Sequence, residues 1–224
     1  MKMKSSHIGD LEILECGEGE NCIVIFHGYG ASSEDLAALA QMSGLKNTRW
    51  IFPNGCLAAP GGFGRAWFPI DANRMLEIQS SAQKWFSSRP VGLDMARDKA
   101  LQFLSHLNHP LERLVLGGFS QGAMLACDLA FTLPPVQGLA VLSGSVLDRA
   151  NWSVSAGSRQ GGNYWQSHGR LDEVLPYQGA EQLHQLLVDA GWKGEFKSFD
   201  GGHEIPPQQL QQFFETLKKW FVKN

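Results

Sequence analysis

The chain has 224 residues, with 19 Lys and Arg against 22 Asp and Glu and a formal charge of −3. Single cores keep growing to roughly 250 residues, so residues 1–224 are expected to form one domain. There is no basic excess for binding nucleic acid, and 18% charged with 43% hydrophobic residues excludes disordered and fibrous classes.

Residues 1–7 carry charge with no apolar stretch behind them, so neither a signal peptide nor a stable membrane insertion is expected. Leu11–Cys16 and 22–26 have strand character, and 17–21, Gly-Glu-Gly-Glu-Asn, reads as the connection of an opening hairpin. Ser33, Glu34 and Asp35 supply an N-cap and an acidic first turn for a helix carrying Leu36, Leu39, Ala40 and Met42. A short strand at 49–53 precedes about 35 residues rich in Gly, Pro and aromatics. So long a connection is uncommon unless it works, and 55–89 is expected to be a lid or substrate-binding excursion. Helical spacing follows at 92–107, and then an apolar run at 114–116, of the kind buried on both faces of a parallel sheet. Beyond it lie a helix at 123–131, a buried strand at 139–144, a strand at 163–167, a helix at 177–190, a strand at 195–199 and an amphipathic helix at 210–221. This alternation predicts an α/β fold with a mostly parallel central sheet and helices on both faces.

Gly118-Phe119-Ser120-Gln121-Gly122 is a GxSxG pentapeptide between a buried strand and a helix, which is where a nucleophile elbow belongs. A serine hydroxyl needs an imidazole to take its proton and a carboxylate to orient that imidazole, in chain order Ser, acid, His. Of the histidines after Ser120, His184 sits mid-helix and reads as packing, and His168 ends a strand within reach of the site. His203 lies in a glycine-hinged loop after the last strand and is the expected base. Asp172, after the penultimate strand, is the expected acid, ahead of Asp148, Glu173 and Asp200. The oxyanion donors are expected to be the backbone N–H groups of Gln121 and, on the early loop 26–30, of Tyr29. His27 reads as a brace for that loop.

Gly28-Tyr29-Gly30-Ala31-Ser32-Ser33 starts like a dinucleotide fingerprint, but it lacks the third glycine. Gly117 and Gly122 have P-loop spacing, but Ala123-Met124 replace the required Lys-Ser/Thr. No HExxH occurs, so no metal site is expected. Cys16, Cys22, Cys56 and Cys127 form no CxxC pair, and reduced thiols in a cytoplasmic protein are the expectation.

The chain resembles the phospholipase/carboxylesterase family of α/β-hydrolases, which includes acyl-protein thioesterases and small bacterial carboxylesterases. The resemblance rests on Phe26-His27-Gly28-Tyr29-Gly30, Phe52-Pro53-Asn54, Ala66-Trp67-Phe68, Gly-Phe-Ser-Gln-Gly at 118–122, His168-Gly169 with Asp172, and Gly202-His203-Glu204-Ile205. It implies the α/β-hydrolase fold and a cofactor-free serine esterase with the triad Ser120, Asp172 and His203 and an oxyanion hole from Tyr29 and Gln121. The loop aromatics Phe63, Trp67 and Phe68 suggest short to medium acyl esters as substrates, with thioesters or lysophospholipids as further candidates. The stretch 61–68 would line the cleft, with Phe63, Trp67 and Phe68 as substrate contacts; core packing, or a homodimer contact, is the competing reading of these aromatics. Two other functions fit the same sequence: a non-catalytic binding protein on the hydrolase fold, and an acyltransferase using the same site.

Overall fold

The computed structural model describes residues 2–62, 64–70, 86–158 and 162–222. Its centre is an eight-stranded sheet. The strands are β1 (Lys4–Ile8), β2 (Leu11–Cys16), β3 (Asn21–Phe26), β4 (Thr48–Pro53), β7 (Leu114–Phe119), β8 (Gly138–Leu142), β9 (Asn163–Gly169) and β10 (Lys193–Phe199), in the order β1-β2-β4-β3-β7-β8-β9-β10. A two-stranded ribbon, β5 (Leu57–Ala58) with β6 (Arg65–Ala66), lies outside it. From β4 to β10 every pairing is parallel, while β1, β2 and β4 pair antiparallel. This is the expected α/β-hydrolase architecture.

The opening hairpin is not the expected one. β2 pairs with β1 across Gly9 and Asp10, with Ile8 opposite Leu11, and its other neighbour is β4 rather than β3. β1 escapes a hydrophobic reading because its KSSHI sequence buries none of its residues fully. The first helix, α1 (Ala38–Ser43), starts later than the Ser33 cap predicts. The Asp35 carboxylate instead accepts the Ser32 N–H at 2.6 Å and folds that stretch into turns.

The central strands explain the two-layer packing of helices. Along β3, Cys22, Val24 and Phe26 face one layer and Ile23 and Ile25 the other, as the twofold alternation of a strand requires. The first layer holds α2 (Leu93–Leu107), α3 (Gln121–Thr132), α4 (Arg149–Gly157) and α5 (Tyr177–Asp189); the second holds α1 and α6 (Pro207–Val222). In α6, Leu210, Phe213, Leu217 and Trp220 form one stripe at helical spacing against the sheet. In α3 the residues Gln121 to Phe131 are all buried, so this helix is central rather than amphipathic. Helix α4 carries no predictive signal in its RANWSVSAG sequence; only Trp152 and Ala156 are buried.

Arg89 ties three of these helices together. Its guanidinium contacts Asp94 at 2.7 Å, Asp128 at 3.0 Å and Asp148 at 3.3 Å. The indole N–H of Trp152 donates to the same Asp128 carboxylate at 2.7 Å. Within the expected excursion 55–89, the described parts are 55–62, 64–70 and 86–89.

Candidate active site

The carboxyl ends of β3, β7, β9 and β10 lie along one edge of the parallel sheet, and each delivers a loop of the site. Between β7 and α3, Ser120 adopts φ 55° and ψ −119°, a conformation that L residues seldom take. The turn is possible because its neighbours have no side chains. A Cβ on Gly118 would overlap the Gly122 backbone, and one on Gly122 would overlap the Phe26 carbonyl. The Ser120 N–H donates to Leu142 O at 2.9 Å, pinning the elbow to β8.

Three predicted residues meet here. His203 Nε2 lies 2.8 Å from Ser120 Oγ, and His203 Nδ1 lies 2.7 Å from Asp172 Oδ2. Asp172 must therefore accept the Nδ1–H, which leaves Nε2 unprotonated and facing the serine hydroxyl. The loop carrying His203 is fixed by Ser143, whose hydroxyl donates to Glu204 O at 3.0 Å, and Phe119 packs against the imidazole at 4.9 Å between ring centres. On the far side of Asp172, Oδ1 accepts the N–H groups of Val174 at 2.9 Å and Leu175 at 2.8 Å. Burial pushes this carboxyl up, but hydrogen bonds from His168, His203 and Leu175 outweigh it and hold the group well below the usual carboxylate range.

The rival residues go elsewhere. His184 Nδ1 meets the Tyr164 hydroxyl at 2.8 Å. Asp148 belongs to the Arg89 cluster, Glu173 is exposed, and the Asp200 carboxylate sits 3.8 Å from Arg170 Nε in solvent. His168 does reach the site, but behind the acid: its Nε2 is 3.1 Å from Asp172 Oδ2.

A cavity of about 230 Å³ opens beside Ser120 and His203. Tyr29 and Gln121 both line it, and Gln121 opens α3, where backbone N–H groups have no intrahelical acceptor. His27 braces the Tyr29 loop. Its Nδ1–H donates to Gly28 O at 2.7 Å and its Nε2 accepts the Gly55 N–H at 2.9 Å. The Gly30 N–H also donates to Arg65 O at 2.9 Å.

Trp67 and Phe68 do not line the cavity. They are 1% and 0% exposed, and their apolar bulk completes the core beneath the loops. The Trp67 indole N–H donates to His27 O at 2.9 Å, and Trp67 packs edge-on against Phe26. Both residues are framework rather than substrate contacts, and neither is available for a homodimer contact. Phe63 lies outside the described residues. The cavity walls are instead Ile70, Phe119, Met124, Val174 and Leu175. Met124 was legible in principle, since it lies one helical turn beyond Ser120 on the same face of α3.

The phospholipase/carboxylesterase family model matches residues 12–221. The chain belongs to this family. Among curated relatives, acyl-protein thioesterase 1 of Eremothecium gossypii is 29% identical over 87% of this chain and 86% of its own. A probable SOBER1-like carboxylesterase of Arabidopsis thaliana is 26% identical over 88% of this chain and 78% of its own. Among solved structures, esterase PE8 matches with TM-score 0.80 and 25% identity, covering 98% of this chain and 99% of its own. The Bacillus cereus carboxylesterase, at TM-score 0.73, 16% identity and 95% coverage of each chain, shares the fold. As a member of the phospholipase/carboxylesterase family, the protein is a serine hydrolase of the α/β-hydrolase fold. Among the described residues no helix is long and apolar enough to cross a membrane.

Proposed function

We propose that this family member is a serine carboxylesterase acting on short to medium acyl esters and thioesters through an acyl-enzyme. The observation that carries the reading is the unbroken line Ser120 Oγ, His203 Nε2, His203 Nδ1, Asp172 Oδ2, with contacts of 2.8 and 2.7 Å. In this scheme Ser120 Oγ bonds to the acyl carbon as its proton passes to His203 Nε2, and Asp172 holds the resulting imidazolium. The backbone N–H groups of Tyr29 and Gln121 receive the oxyanion. As the bond from the acyl carbon to oxygen or sulfur breaks, the leaving group takes the proton from Nε2. Water then repeats the sequence: it gives a proton to His203, attacks the acyl carbon and frees Ser120 with its proton restored. Side chains already present supply every proton transfer, so the scheme calls for no cofactor or metal.

The apolar lining from Ile70, Met124, Val174 and Leu175 favours an acyl chain over a polar group, and a volume of about 230 Å³ favours a short to medium one. Relatives named as acyl-protein thioesterases support extending the reading to thioesters, and the word phospholipase in the family description keeps lysophospholipids as candidate substrates. Four free thiols fit a reducing compartment, and we place the enzyme in the cytoplasm.

Hydrolysis of p-nitrophenyl esters from acetate to decanoate, and of matching acyl thioesters, by wild type and Ser120→Ala tests this. Each buried methylene contributes about 0.8 kcal/mol, so kcat/KM is expected to rise about fourfold per methylene until the cavity fills and then to level off. Equal rates in the two proteins would defeat the reading.

A further inference from the structure

The proposed triad leaves one buried titratable side chain beside it unused. His168 is the penultimate residue of β9, and Asp172 folds back over that strand end through its N–H to Gly169 O at 3.3 Å. The two side chains are both 0% exposed. His168 Nε2 lies 3.1 Å from Asp172 Oδ2 and 2.9 Å from Leu175 O, two acceptors at once, so Nε2 must carry the hydrogen. The carboxylate is then enclosed by donors: two backbone N–H groups on Oδ1, the His203 N–H on Oδ2, and the His168 Nε2–H shared between Oδ2 and Leu175 O. A carboxylate offers about four such acceptor positions, and filling all of them removes its freedom to rotate or to take up a proton. Tyr177 packs against the outer side of the His168 ring at 6.2 Å between centres.

We infer that His168 is a positioning residue for the reaction, aiming Asp172 Oδ2 at His203 with an Nε2–H that it shares between that oxygen and Leu175 O. This rests on the serine-esterase reading above. The contact to Leu175 O serves the same end, because Leu175 also supplies an N–H to Oδ1 and a wall to the cavity.

The test compares His168→Gln, whose amide nitrogen falls near the Nε2 position, with His168→Asn, whose amide nitrogen falls near Nδ1. Wild type and Ser120→Ala are assayed beside them on a p-nitrophenyl ester, with kcat and KM resolved. The Gln variant is expected to keep kcat within about threefold, and the Asn variant to lose about 10- to 100-fold in kcat at unchanged KM. Equal kcat in the two variants, or a loss confined to KM, overturns the inference. A wild type no faster than Ser120→Ala defeats the esterase reading itself, an outcome visible without the His168 variants. Should the Asn variant fail to fold, ring-nitrogen NMR of wild type decides. A proton on His168 Nε2 that shifts in Asp172→Asn supports the assignment, and a proton on Nδ1 overturns it.

Discussion

The side chain of Gln121 reaches from the first turn of α3 to the backbone on either side of the Trp67–Phe68 peptide bond. Its Oε1 accepts the Trp67 N–H at 2.9 Å, and its Nε2 donates to Phe68 O at 2.7 Å. The residue that follows Ser120 thus also fixes the strip of chain beneath the Tyr29 loop.

Replacing that side chain tests the brace. Gln121→Leu keeps the backbone N–H and a similar volume but leaves a buried donor and a buried acceptor unpaired, each worth about 1–3 kcal/mol. A fall of that size in urea-unfolding stability is expected. An unchanged midpoint would mean that the Trp67 strip holds itself in place.

The backbone of Ser120 provides a second test. Its left-handed φ costs about 1–3 kcal/mol for a residue with a side chain, and Ala pays it as Ser does. Ser120→Gly and Ser120→Ala should both lose esterase activity by about 10⁴-fold or more, yet the Gly variant should melt several degrees above the Ala variant. Coincident melting curves would contradict the strain at the elbow.

Acid sensitivity is expected to trace in part to Asp172. Its carboxyl sits below the ordinary carboxylate range in the folded protein, so its contacts add stability above about pH 4, the unfolded value. That contribution is lost as pH falls toward the folded value, because the unfolded chain then takes up a proton that the folded one refuses. The stability gap between wild type and Asp172→Asn, measured by urea unfolding, should therefore be wider at pH 6.5 than at pH 3. At neutral pH the same variant should hydrolyse esters about 10⁴-fold more slowly, because an amide no longer fixes the imidazole tautomer.

Far from the cavity, Arg89→Met should cost about 3–5 kcal/mol. It removes the nearest cation from the carboxylates of Asp128 and Asp148, whose side chains are 5% and 7% exposed, and leaves Asp128 with the Trp152 N–H and Arg97 at 3.7 Å and Asp148 with the Asn151 amide. Chemical denaturation reads this directly, and a loss below about 1 kcal/mol would show that the cluster behaves as surface ion pairs do.

The parallel half of the fold was legible because its signals are local and agree with one another. An apolar run such as Leu114–Leu116, a glycine pair and a buried helix leave little choice, and the loops after β7, β9 and β10 then fall on one edge of the sheet. The antiparallel half was not. β1 is polar and only partly buried, and which strand β2 pairs with is set by the whole sheet rather than by 17–21. Of the two readings of Trp67 and Phe68, substrate contact and core packing, the structure supports core packing, because the loop folds these aromatics inward under His27. Met124, Val174 and Leu175 converge on the cavity from α3 and the Asp172 loop, a convergence that no single stretch of sequence contains.

The order of the strands also gives the site an uneven footing. Ser120 hangs from β7, with partners on both sides, whereas His203 follows β10, which among the described residues pairs with β9 alone at the end of the strand order. Amide hydrogens near a sheet margin exchange through small local openings, and those at its centre through global unfolding. Fraying of that margin that also breaks the Ser143 bond to Glu204 O would carry the proposed base away while Ser120 stays in its elbow. The enzyme would then fall silent reversibly, at a cost well below that of melting the core.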